Sequence, residues 1–245
     1  MKKTLFLLFI VTSISFSQNQ KTLKDIPKNY HLIELNSVDF KNNNFTQKTV
    51  FKYNENGTIK SFEISSKTFH INNLINYKNG LISEILFDNS NSDLSSISIF
   101  NYKDGKLSTI FSKRTSTKKP KNYEQITSTQ YFSYIENCIE ITTESKDNRL
   151  PTKKEIIHLD SNGNFLKETN DQYDIPIFTY DNQINPIDLV YPKYLIGHVK
   201  LGSGNILTEG EDIAYKYIYN SYGLPIEENK FEKGKLIKTT KYTYK

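Results

Sequence analysis

The stretch from Ile213 to Tyr244 limits what this chain can fold into more than any other. It reads IAYKYIY, NSYG, LPIEENKF, EKG and KLIKTTKYTY: three alternating segments separated by two glycine turns. In the first segment Ile213, Tyr215, Tyr217 and Tyr219 fall on one side of an extended chain, and Ala214, Lys216 and Ile218 fall on the other. A period of two belongs to a strand, because successive side chains point to opposite faces. The same unit recurs upstream. Val50, Phe51 and Tyr53 run into a turn ending at Gly57; Leu74, Ile75 and Tyr77 run into Gly80; Ile97, Ile99 and Tyr102 run into Gly105; Ile156 to Leu159 run into Gly163. Asn–Gly and Asp–Gly between alternating runs are hairpin signals, since glycine takes positive φ without steric cost. Gly57, Gly80 and Gly105 are 23 and 25 residues apart, which fits two strands and two turns per unit. Gly57, Gly80, Gly105, Gly163, Gly223 and Gly234 are therefore read as structural turn glycines. The fold class is all-β: a large curved antiparallel sheet, or partly closed barrel, built of repeated hairpins.

Composition agrees. The chain of 245 residues has 17 Tyr and 15 Phe but no Trp, and tyrosine suits a sheet face that is half buried. The formal net charge is +5, and losing Lys2 and Lys3 with a leader would leave +3. That balance, with only Arg114 and Arg149 as arginines, gives no basis for a nucleic-acid partner. Residues 1–17 read MKKTLFLLFIVTSISFS, a basic start, an apolar run and small residues, which is the pattern of a secretory signal cleaved before Gln18. No cysteine follows the apolar run, so a lipoprotein anchor is not expected. Residues 18–245 are read as one domain. Its regular spacing breaks at about 186–210, where an insertion forms a short helix or a loop over one sheet face.

Tyr180-Asp181-Asn182-Gln183-Ile184-Asn185-Pro186, then Tyr217-x-Tyr219-Asn220-x-x-Gly223-x-Pro225 and a closing Tyr242-x-Tyr244, form a recurrent pattern. It resembles secreted Bacteroidota proteins of unknown function with tyrosine–aspartate-type repeats and a porin-like antiparallel sheet. More loosely, it is similar to the Tyr–Asp repeats of Rhs-type shells. The resemblance covers roughly residues 50–244 and rests on turn motifs, which specify fold better than activity. It brings no catalytic residues with it. Asp follows Tyr only at Tyr180 within these units.

Chemistry-bearing motifs are weak. His31, His70, His158 and His198 show no metal-ligand spacing, so surface histidines are expected. Cys138 sits in an alternating run without a Cys/His signature and is expected to be a small buried residue. Asp88 to Asp93 lacks the turn glycine and terminal glutamate of a calcium loop. Gly202-Ser203-Gly204 precedes a strand, whereas a phosphate cradle opens a helix. Glu227 and Glu228 are adjacent, so on a strand they face opposite ways and do not act as a close pair. Arg114 to Asn122 reads as a solvated basic loop. No catalytic, cofactor or metal residue is therefore assigned.

Three functions fit, in this order. The first is a non-enzymatic exported envelope or extracellular protein that binds a partner of unknown identity. The second is a carrier of an apolar small molecule or lipid in the sheet concavity. The third is a hydrolase with a site at the insertion, near His198. A membrane-spanning barrel is not expected. One face of residues 235–245 reads Lys, Ile, Thr, Lys, Thr, Lys, and the other reads Leu, Lys, Thr, Tyr, Tyr, so either choice places lysine against lipid.

Overall fold

The structure is a computed structural model that describes residues 23–90, 94–116, 127–146, 151–161, 163–170, 177–190 and 204–245. The leader at residues 1–17, His198, most of the basic loop and most of the insertion lie outside the described residues. Among the described residues sixteen strands follow in order: β1 (Leu32–Asp39), β2 (Phe45–Tyr53), β3 (Ile59–Ser66), β4 (His70–Lys78), β5 (Leu81–Asn89), β6 (Leu94–Lys103), β7 (Lys106–Ser116), β8 (Thr127–Ile135), β9 (Cys138–Ser145), β10 (Lys153–Leu159), β11 (Phe165–Asn170), β12 (Phe178–Tyr180), β13 (Ile206–Glu209), β14 (Ile213–Tyr219), β15 (Pro225–Glu232) and β16 (Lys235–Tyr244). All belong to one antiparallel sheet that is nearly closed into a barrel. Its order runs from β11 down to β1, then to β16, and down again to β12. The first and last strands are thus hydrogen-bonded neighbours, paired from Leu32–Tyr244 to Asp39–Lys238. The gap in the ring falls between the consecutive strands β11 and β12.

The period of two sorts the side chains cleanly. Phe51, Ile75, Ile82, Phe100, Leu107 and Ile110 are buried and share one face with Leu32 and Ile59. Ile139, Ile141, Ile157 and Phe165 continue that face, with Phe132 touching both groups. The opposite face bears exposed Leu74, Ile99, Tyr131 and Ile218 among polar chains. Removing an aliphatic side chain of this size from water contributes about 1.5–3 kcal/mol each, so this one face holds the sheet together.

The turns explain the repeated sequence. Gly57, Gly80, Gly105, Gly163 and Gly223 lie in turns at one rim, and Gly234 lies at the other, each with φ between 75° and 81°. In the two-residue turns Asn79, Asp104 and Lys233 also take positive φ, at 48° to 53°. At the β8–β9 turn Glu136 takes the left-handed conformation, φ 45°. The longer turns at Asn54, Asp160 and Asn220 share one hydrogen-bond pattern. In each, that residue's N–H donates to the carbonyl four positions on, and the glycine N–H donates back to it: 2.8 and 2.9 Å at Asn54, 2.8 and 3.0 Å at Asp160, 2.9 and 3.0 Å at Asn220.

Candidate functional site

Tyrosine does something specific at the glycine-rich rim. Neighbouring hairpins stop pairing before they reach it: the β3–β4 ladder ends at Ser61–Leu74, and the β5–β6 ladder ends at Glu84–Ile99. The carbonyls of Ile59 and Ile82, beyond those ends, need another donor, because a buried backbone acceptor left unpaired is costly. The Tyr77 hydroxyl donates to Ile59 O at 2.8 Å, and the Tyr102 hydroxyl to Ile82 O at 2.9 Å. The same bond recurs from Tyr53 to Leu32 O (2.6 Å), Tyr217 to Ile206 O (2.9 Å) and Tyr244 to Pro225 O (2.7 Å). It also crosses the gap in the ring, where Tyr180 donates to Phe165 O at 2.5 Å and the Phe165 and Phe178 rings meet edge-on at 5.0 Å. Each of these hydroxyls ties its strand to the preceding one at this rim. The β8–β9 hairpin has no register shift at its turn and ends in Ile135, which has no hydroxyl to donate.

The insertion opens from the same kind of turn. Asp181 N–H donates to Asn205 O at 2.9 Å, and Asn205 N–H donates to Asp181 Oδ1 at 2.8 Å. At the ordinary turn, Asn164 N–H donates to Asp160 Oδ1 at the same 2.8 Å. A turn of three intervening residues has been expanded, its base still clasped by the same acidic side chain. Tyr219 donates to Asp181 Oδ2, and Asn185 Nδ2 donates to Gly204 O at 3.2 Å. The described part then turns through a 3₁₀ segment, Pro186–Leu189, capped by the Asn185 side chain. Ile184 packs with Ile26, Leu224, Tyr30 and Tyr222 at the rim, and Val190 reaches the main core.

The buried face is not uniformly apolar. Across β13 to β16 it carries Glu209, Tyr215, Tyr217, Glu228, Lys230, Thr240 and Tyr242. Lys230 pairs with Glu209 at 3.2 Å, and Tyr215 donates to the same Glu209 oxygen at 3.1 Å. Tyr242 donates to Glu228 Oε2 at 3.0 Å. Burial holds the Tyr217, Tyr219 and Tyr242 phenols well above their usual range; Glu228 adds to this at Tyr217 and Tyr242, and Asp181 at Tyr219. Burial pulls the Lys230 ammonium down, but Tyr215 and Glu209 outweigh it and leave lysine above its usual value. These groups are hydrogen-bonded to one another along the wall. Glu227 lies on the other face with Asn229, as adjacency on a strand requires.

The remaining candidates are dispersed. His31 stacks on Tyr53 at 4.4 Å, and no cluster of three metal-ligating side chains occurs among the described residues. An open groove of about 390 Å³ between β1, β2 and β3 is lined by Asn36, Thr46, Gln47, Lys48 and Ser65, with Val38 as its apolar member. Cys138 differs from the buried residue expected. Ile139 and Ile141 take the buried face, so alternation puts Cys138 on the opposite one, half exposed. There its Sγ lies 3.4 Å from His158 Nδ1, and His158 Nε2 lies 3.2 Å from Thr169 Oγ1.

No protein-family model matches the chain, and no curated protein matches it. Among solved structures it is similar to a porin-like protein from Bacteroides vulgatus, with a TM-score of 0.53 and 14% identity over 88% of this chain and 98% of that one. The two share a fold. The architecture expected from the hairpin repeats, and the porin-like sheet that the resemblance implied, are what the structure contains.

Proposed function

We propose that this protein is an exported barrel of the cell envelope that acts by binding a partner rather than by catalysis, and that it does not span the membrane. One observation carries the reading: the exposed face of β1, β2 and β3 is charged where a lipid face would be uniformly apolar. A spanning strand needs roughly 9–11 residues with an apolar outer face. The exposed face carries the pairs Lys48–Glu34 and Lys52–Glu63. The opposite face carries buried Thr49, Asn73 and Thr240, besides Glu228 and Lys230. Strands β11, β12 and β13 have only 6, 3 and 4 residues.

Binding is favoured by an apolar band on the exposed face. Leu74 faces Leu86, Leu86 faces Ile97, and Ile99 faces Phe111, with Tyr131 beyond, so the band crosses β4 to β8. Contiguous exposed apolar surface of this kind marks interaction sites. A carrier of apolar cargo fits less well, because the open groove between β1, β2 and β3 has Val38 as the one aliphatic side chain in its lining.

A spanning barrel is the second reading. It is favoured by the even strand number among the described residues, the first strand beginning and the last ending at one rim, and the similarity to a protein described as porin-like. Ultracentrifugation separates the two. Mature protein made without detergent is expected to stay in the supernatant and to run on gels at one position whether or not it is heated. Recovery only in detergent, with heat-modifiable migration, would overturn the proposal in favour of the second reading. Partners captured by tagged protein from native envelopes should be lost on the double change Leu74→Lys and Ile99→Lys, with melting unchanged.

A further inference from the structure

We propose that Cys138 is the nucleophile of a surface thiol site, with His158 as its proton acceptor, that takes an organic disulfide as substrate. The site stands independently of the function proposed above. Pairing places Cys138 of β9 directly opposite His158 of β10, and His158 opposite Lys167 of β11, so the three side chains form one row on the exposed face. A nucleophilic thiol needs a base within hydrogen-bond reach and a third group that orients the base. Both are here. His158 Nδ1 lies 3.4 Å from Sγ, and Nε2 lies 3.2 Å from Thr169 Oγ1. With the ring proton on Nε2 donated to Thr169, Nδ1 keeps its lone pair toward the thiol.

The backbone under the row is firm. The alternate residues Ile139 and Ile157, with Phe165 at the start of β11, are buried together, so the strands carrying the row are fixed by one core cluster. Cys138 is also the single cysteine of the sequence, so no disulfide within the chain competes for it. Its side chain is partly exposed rather than buried.

The step is thiol–disulfide exchange. The Cys138 proton moves to His158 Nδ1, and the sulfur attacks one sulfur of R–S–S–R. The S–S bond breaks, a mixed disulfide forms on Cys138, and the proton on His158 passes to an alkyl leaving thiolate or, where the leaving thiolate is aromatic and weakly basic, to solvent. Nothing beyond the organic disulfide is consumed.

The test uses the full mature chain and an aromatic disulfide, 5,5′-dithiobis(2-nitrobenzoate), followed by its released thiolate. A positioned base contributes on the order of 100-fold. The native chain should therefore react at least about tenfold faster at pH 7 than the same chain in urea, and His158→Gln should remove that advantage. Cys138→Ser gives the blank. If His158→Gln does not fold, Thr169→Val serves, with an expected slowing through loss of the group that orients the ring, and a Thr169→Val chain as fast as the parent then overturns the proposal. Mass spectrometry should place a glutathione adduct on Cys138 after incubation of native protein with oxidised glutathione. A native rate no greater than that in urea, or a folded His158→Gln variant as fast as the parent, overturns the proposal.

Discussion

The tyrosine ties can be weighed by deleting a single oxygen. In Tyr77→Phe the ring is kept, and only the hydroxyl that donates to Ile59 O is lost. The residue carrying that acceptor is 1% exposed, so water does not readily replace the donor. A net hydrogen bond is worth about 0.5–1.5 kcal/mol, and leaving a buried acceptor unsatisfied costs about 1–3 kcal/mol. The expected loss is therefore about 1–2 kcal/mol, somewhat below the upper figure because this carbonyl sits at a rim. For a chain of this size 1 kcal/mol corresponds to roughly 2–4 °C, which places the melting temperature about 2–8 °C below the parent. The control is Tyr131→Phe, the same atom removed from a ring that is 43% exposed on the other face, where a change within about 0.5 kcal/mol is expected. Thermal melts of the two variants and the parent, in one buffer and at one protein concentration, decide it. If Tyr77→Phe melts with Tyr131→Phe, the hydroxyls do not tie the hairpins and the rim is held by ring packing alone.

Two further outcomes follow from the same rim. Folded-state phenol pKa values above the ordinary 10.0 at Tyr180, Tyr217, Tyr219, Tyr242 and Tyr244 mean that the native chain holds these protons more tightly than the unfolded chain, so their stabilisation is complete below pH 10 and lost as pH rises beyond it. Phenolate absorbance should accordingly appear together with unfolding on an alkaline titration, and a reversible native titration centred at 10 would contradict this. Gly204→Ala should open the base of the insertion and expose it to limited proteolysis, because a Cβ there would lie 2.3 Å from Asp181 O; an unchanged digestion pattern would count against the clasp.

Much of this architecture is legible in the residues because it is local. A turn glycine with alternating residues on either side sets a hairpin within about 20 positions, and strands such as β14, Ile213–Tyr219, follow from period two alone. What the tyrosine before a turn does is not legible, because its partner lies at the far end of the preceding strand: Tyr53 reaches back 21 residues to Leu32, and Tyr77 reaches back 18 to Ile59. The Tyr–Asx signature is then two devices side by side, a hydroxyl that ties neighbouring strands and an acidic or amide side chain that closes the turn. The expansion at Asp181 shows as broken spacing, but that Asn205 would answer Asp181 across it depends on a clasp that no spacing rule encodes. The pairing of Cys138 with His158 is not legible for a similar reason. They are 20 positions apart across a loop, and only the register of β9 on β10 sets them opposite one another.

The ring is joined between its most distant strands and left incomplete between two consecutive ones, which has a kinetic consequence. Hairpins of this kind form in about 1–10 μs, each from its own short loop. Pairing Leu32 with Tyr244 closes a loop of about 212 residues, and relative to a 20-residue hairpin the added closure entropy is about 2 kcal/mol. The β1–β16 junction should therefore be the slow, late event in folding. Until it forms, both strands present unpaired backbone edges of 8 and 10 residues to any other chain in the same state, so the concentration at which refolding gives way to aggregation is set by that one junction.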